Sequence, residues 1–198
     1  MMHRRPMVLM ALAVILAALV AACGDDGGPD VAEGATSTSD TTTSALSTTT
    51  EDPQAAERQA VIDAYLAAAE AARQASAPPV PNPDLPVLLA THVGPMLEQR
   101  QGVFRGLRAN GWAIRYPSDS KFRVEVESVE FDGDDAAILE VCAVDDGERI
   151  VVQTGEVLAS GVATVEVTAA MRRVDGVWKL AERREEQQWE GEAGCAAD

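Results

Sequence analysis

Histidine, lysine and aromatic side chains are scarce in this chain of 198 residues, which has two histidines, three tryptophans, two tyrosines and three phenylalanines. So few rings offer no platform for stacking bases or sugars. Two histidines and no Cys-x-x-Cys leave nothing from which to build a tetrahedral metal site, so no metal is expected. The 16 basic residues face 32 acidic ones, giving a formal charge of −16, and they form no cluster. Nucleic acid and anionic headgroups are poor candidates as partners and no nucleic acid is expected, because binding either needs gathered cations. No glycine-rich phosphate loop and no Gly-x-Ser-x-Gly elbow is present, and no cofactor is expected.

There is one long apolar run. Arg4 and Arg5 precede Met7 to Val20, which carry no polar side chain, and Val20-Ala21-Ala22-Cys23 closes the run before Gly24-Asp25-Asp26-Gly27-Gly28. A membrane span needs about 18 to 20 apolar residues, so the run is too short; charge, grease and small residues come in the order of a signal peptide. The closing four residues resemble the bacterial lipobox. That resemblance implies that residues 1–22 are removed and that Cys23 is acylated, tethering the mature protein to the outer face of the cytoplasmic membrane. An ordinary signal-peptidase site, with Cys23 a spare thiol, is the alternative. The mature chain keeps 14 basic and all 32 acidic residues, a charge of −18. From Gly24 to Thr50 there are eight Thr and four Ser, too little apolar surface to fold, so residues 23–51 read as the lipidated cysteine and a flexible linker. Its span is about 30 Å.

Patterned sequence occupies residues 52–198, enough for one domain. Asp52-Pro53 is a helix start, and the spacing predicts a helix to Ala75 with Val61, Ile62, Tyr65, Leu66 and Ala69 inward beside a small-residue flank of Ala64, Ala67, Ala68 and Ala71. Four prolines between Pro78 and Pro83 forbid helix. A short helix follows from Leu85 to His92, then one opened by Pro95 that turns Met96, Leu97, Val103, Phe104 and Leu107 inward and ends at Asn110-Gly111. Gly102 and Gly106 within it suggest close approach to the alanines of the first helix. Trp112, Tyr65, Phe104 and Phe122 read as core.

After Trp112 the period becomes two. Phe122, Val124 and Val126 alternate with charges, then the apolar set slips to Val129 and Phe131, as at a β-bulge. Residues 136–144 are apolar on both faces except Glu140, which predicts a central strand. Asp146-Gly147 turns the chain, Val165, Val167, Ala169 and Met171 alternate, and Asp175-Gly176 marks a two-residue hairpin before Trp178. Three helices followed by a bent antiparallel sheet make an α+β architecture. With Cys23 lipidated, Cys142 and Cys195 are left to pair as a disulfide in an oxidising compartment, pinning the tail around Trp189 and Glu190 onto the sheet.

This order of elements, with Asn82-Pro83-Asp84-Leu85-Pro86, Gly94-Pro95-Met96-Leu97, the run from Ala137 to Asp146, Thr154-Gly155-Glu156-Val157 and the Trp178 hairpin, resembles the nuclear transport factor 2-like cone fold. Within it the chain is similar to a group of actinobacterial lipoproteins, in keeping with its alanine content and its 14 arginines to two lysines. The resemblance implies either a binding module or an enzyme of ketosteroid isomerase or dehydratase type, since the fold hosts both. Such enzymes set an Asp, His or Tyr into an apolar pocket. The candidates are His92, which reads first as a cap or surface residue, and Glu140, which reads first as solvated; Asp145 and Asp146 read as turn residues. The leading expectation is a non-catalytic module that binds an envelope protein or a small apolar ligand in the cone, with the enzyme as alternative and homodimerisation through the sheet as a third reading. Neither Glu140→Gln nor His92→Ala is expected to alter stability or phenotype.

Overall fold

Three helices run first and a bent antiparallel sheet follows in the computed structural model, which describes residues 54–195. The apolar leader, Cys23, the Thr/Ser-rich linker, Asp52 and Pro53 lie outside the described residues. Helices α1 (Ala55–Ser76), α2 (Pro86–Thr91) and α3 (Gly94–Ala109) precede strands β1 (Trp112–Arg115), β2 (Arg123–Phe131), β3 (Ala136–Asp145), β4 (Glu148–Val151), β5 (Val157–Ala159), β6 (Ala163–Val174) and β7 (Val177–Glu190). The main sheet has the order β2-β3-β6-β7 and a small sheet the order β1-β4-β5. No described helix is long and apolar enough to cross a membrane.

Alanine has the highest helix propensity, and α1 is rich in it. The face it buries is Val61, Tyr65, Ala68, Ala71 and Ala75. Leu66, expected on that stripe, is 38% exposed, while Ile62 and Ala69 are half-buried. The reason is the partner surface. The helix-facing side of the sheet carries the bulky Leu139, Met171, Trp178 and Leu180, all buried, and α1 meets them with the stripe of Val61, Tyr65 and Ala68, which leaves Leu66 at its edge. Val61, Tyr65, Ala68 and Met96 complete that core.

In α3 Met96 and Phe104 are buried, but Val103 is 50% exposed rather than inward. Nor do Gly102 and Gly106 meet another backbone, since a Cβ added at either finds nothing within 4 Å. Leu88 of α2 is buried with Ala75 and Phe104 in a second, smaller cluster. After α2 the chain runs alongside β7, where Val93 N–H donates to Leu180 O at 3.0 Å.

The parity slip in β2 is a register shift between Val126 and Ser128, and β3 is flanked by β2 and β6 as its apolar faces require. Two further shifts in the β6–β7 pairing, at Glu166/Val167 and Ala170/Met171, bend the sheet around the helices. Asp175 and Gly176 have φ of 53° and 77°, the mirror-image turn whose twist suits a tight hairpin. Gly147 is required by close approach: a Cβ there would stand 2.8 Å from Ile114 Cγ2.

Cys142 and Cys195 lie at disulfide distance, with Cα atoms 5.7 Å apart. Trp189 and Glu190 belong to β7 itself, and it is the residues after them that fold back. Gly191 N–H donates to Val162 O at 2.7 Å, Thr164 Oγ1 donates to Gly191 O at 2.8 Å, and Arg123 holds Glu192 at 3.1 Å.

Candidate functional site

The bulky core fills one part of the wedge between helices and sheet; the remainder is an open cavity of about 980 Å³. Helices α1 and α3 wall one side, the main sheet the other, and residues 159–163 with Ile114 and Tyr116 complete the rim. Phe104, Leu107, Phe122, Val124 and Val165 give it an apolar lining. Its charged groups are Arg73, Arg100, Arg149 and Arg183, against Asp145, Glu185 and Glu190.

Each element delivers its side chain for a local reason. Tyr65 falls on the buried stripe of α1 and Arg100 lies midway between buried Met96 and Phe104 on α3, at i±4 from each. On β7 the shift at Ala170/Met171 changes parity after Leu180, so that Arg183 opposite Ala169 and Glu185 opposite Val167 turn to the helix side. Arg183 donates through Nη1 to Glu185 Oε1 at 2.6 Å and acts electrostatically on the Tyr65 hydroxyl. Burial raises the Tyr65 pKa, and the Arg183 and Arg100 cations oppose that rise.

Nearer the rim Arg73 stacks 4.3 Å over the Tyr116 ring and 5.0 Å from Phe122, and its Nε donates to Glu70 Oε2 at 2.9 Å. Burial first, then the charge of Asp145, raises the Tyr116 pKa, so the phenol keeps its proton beside the Asp145 carboxylate. That carboxylate also accepts from Gly147 N–H at 2.8 Å, the turn role expected of it. Asp146 likewise accepts from Ser120 Oγ at 2.6 Å and Lys121 N–H. Burial raises its pKa, but these bonds outweigh that effect and leave it lowered.

Arg100 differs from its neighbours. Its Nε is buried without a hydrogen-bond partner among the described residues, and burial followed by the Arg183 charge lowers its pKa. Arg73 and Arg183 each hold a carboxylate, and Arg100 holds none.

The two residues singled out from the sequence are not brought together, and neither lines the cavity. Glu140 is exposed on the outer face of β3, where Ser128 Oγ donates to it at 3.2 Å. His92 corrects the surface reading: it is 1% exposed, tucked between α2 and β7. Its Nδ1 is 3.0 Å from Thr91 Oγ1, whose own hydrogen is donated to Val87 O at 2.7 Å, so Nδ1 carries the imidazole proton and Nε2 is a buried, unpartnered lone pair. Of the rings read as core, Tyr65 and Phe104 are buried, Phe122 is half-buried at the cavity wall, and half-buried Trp112 lies under Arg149 at 5.1 Å. Among the described residues no three His, Cys, Asp or Glu side chains gather as a metal site would need.

No protein-family model and no curated protein matches the chain. Nineteen chains of solved structures are similar to it, two of which illustrate the likeness. The intermembrane space region of the chloroplast protein ARC6 aligns over 65% of this chain and 95% of its own, at 15% identity and a TM-score of 0.56. A ketosteroid isomerase-like protein from Erwinia carotovora atroseptica SCRI1043 aligns over 66% of this chain and 97% of its own, at 16% identity and a TM-score of 0.42. The likeness to the ARC6 region shows a shared fold, helices packed on a bent antiparallel sheet.

Proposed function

We propose that this is a lipid-anchored envelope protein whose cone domain, of the nuclear transport factor 2-like kind, captures a small molecule without turning it over. The cavity carries this reading: about 980 Å³ of open space, walled by apolar residues of both helices and sheet, has the size and lining of a small-molecule site. Catalysis by general acid and base needs a shielded ionisable group with a free lone pair or proton and a second group to orient it. Glu140 and His92 stand outside the lining, Asp145 accepts from Gly147 N–H, Glu185 is held by Arg183, and Glu190 is exposed rather than shielded.

The competing isomerase- or dehydratase-like reading has one supporting observation, the Tyr116–Asp145 pair beside an apolar wall. Saturable binding of the neutral dye N-phenyl-1-naphthylamine to the purified full chain tests capture. One dye should bind per chain, and Ala69→Trp, which fills the cavity, should abolish it. Dye binding that survives Ala69→Trp would sink the cavity reading. Tethering is tested separately by Cys23→Ala, which should end fatty-acid labelling and release the protein from membranes.

A further inference from the structure

We propose that the ligand is an amphipathic monocarboxylate, its acid group held by the Arg100 guanidinium and its apolar body lying along Phe104, Leu107, Val124 and Val165. The inference deepens the ligand-capture reading and rests on it. A guanidinium always carries its charge and five donors, and enclosing it without a carboxylate or carbonyl partner is costly. Arg100 is half-buried and approaches that position: it lies on the inward stripe of α3 between Met96 and Phe104, its Nε is enclosed and unbonded, its η nitrogens face the cavity, and no described carboxylate forms an ion pair with it.

The neighbouring charges fix the valence. Arg183 is paired with Glu185 at 2.6 Å and Arg73 with Glu70 at 2.9 Å, while Arg149 is exposed at the rim over Trp112, which leaves Arg100 as the half-buried cation of the lining without an ion pair among the described residues. One planar fork against one negative charge matches a carboxylate, which accepts two parallel N–H bonds from it. The Tyr65 hydroxyl lies within the electrostatic reach of both arginines, at the same end of the cavity.

The test is displacement of N-phenyl-1-naphthylamine from the purified full chain by 4-phenylbutyrate and by 4-phenylbutyramide, which differ only in charge. The acid should displace dye at concentrations at least about tenfold below the amide, the margin of a charge-assisted pair over a neutral one. In Arg100→Met the dye should still bind and the ratio should fall to about one; if that variant does not fold, Arg100→Gln gives the same reading. Melting supplies a measure that packing alone would not move: without ligand Arg100→Met should melt no lower than the parent, because an unpaired enclosed charge has been removed, whereas 4-phenylbutyrate should raise the melting temperature of the parent only. Equal competition by acid and amide in the parent, or a preference that persists in the variant, overturns the proposal while the capture reading stands. Dye that binds neither protein overturns the capture reading itself.

Discussion

Lowering the pH from 7.5 to 5 should destabilise this domain through a single imidazole. Burial first, and the Arg100 cation second, push the His92 pKa from 6.5 down to about 4, against a smaller opposing effect of the Leu88 carbonyl. Protonation would place a second N–H, on Nε2, in an interior that offers it no acceptor. The unfolded chain therefore binds the proton and the folded chain does not over that interval, so stability is complete above pH 6.5 and is lost as the pH falls from there toward 4. Integrated to pH 5 the loss is about 2 kcal/mol. Down to pH 5 the window isolates the imidazole, because the other histidine, His3, lies in the leader and ordinary carboxylates have their midpoints at about 4. Urea midpoints of the mature chain at half-unit pH steps should fall across the window, whereas those of His92→Leu, nearly the same size and without a proton to gain, should stay level. Equal slopes in parent and variant, or a ring titration above pH 6 by NMR, would refute the assignment. The same burial withdraws the expectation that His92→Ala is silent, since it would leave a cavity between α2 and β7.

Three further outcomes follow from particular positions. Replacing Cys142 and Cys195 together by alanine should cost about 4 kcal/mol on the loop-closure estimate for their separation of 53 residues; the unreduced parent should weigh two hydrogens less than its reduced form, and a denaturation midpoint unchanged by the double variant would argue against a structural bond. Gly102→Ala and Gly106→Ala should each stabilise by about 0.5 to 1 kcal/mol, because both glycines lie inside α3 with open space where a Cβ would go, and a lowered melting temperature would reveal a contact not seen here. Gly147→Ala should destabilise by about 1 to 3 kcal/mol, since its Cβ meets Ile114 at 2.8 Å; a neutral effect would mean that β1 and the turn yield easily.

The fold was legible wherever one residue's conformation decides the matter. Asp175-Gly176 can form the tight turn because both take positive φ, Gly111 ends α3 by taking a φ of 70° after a right-handed Asn110, and the slip from Val126 to Val129 can only be a bulge in a strand that keeps one face turned to the core. The rotation of α1 was less legible. Its apolar and alanine positions overlap through Ala68 and Ala71, and which edge goes inward depends on the size of what it meets, which is set by Met171, Trp178 and Leu180 more than a hundred residues later.

The site was hidden by how charge is ordinarily read. A carboxylate on a central strand draws the eye, but Glu140 alternates with Leu139 and Val141, and alternation sends it to the solvated face. Arg100 carried the stronger signal, since it stands at i±4 between two apolar residues that helical spacing turns inward, and a cation there must either reach past the core or be enclosed in it. Arg183 could not be placed the same way. Counting by twos from Trp178 and Leu180 assigns it to the outside, and only the extra residue at Ala181, where Met171 pairs with Leu180 and Ala170 with Glu182, reverses the count. A bulge that bends the sheet around the helices thus also turns Arg183 toward Tyr65, so sheet curvature and the polar end of the cavity depend on the same local feature. Deleting Ala181 should therefore send Arg183 and Glu185 outward, away from Tyr65.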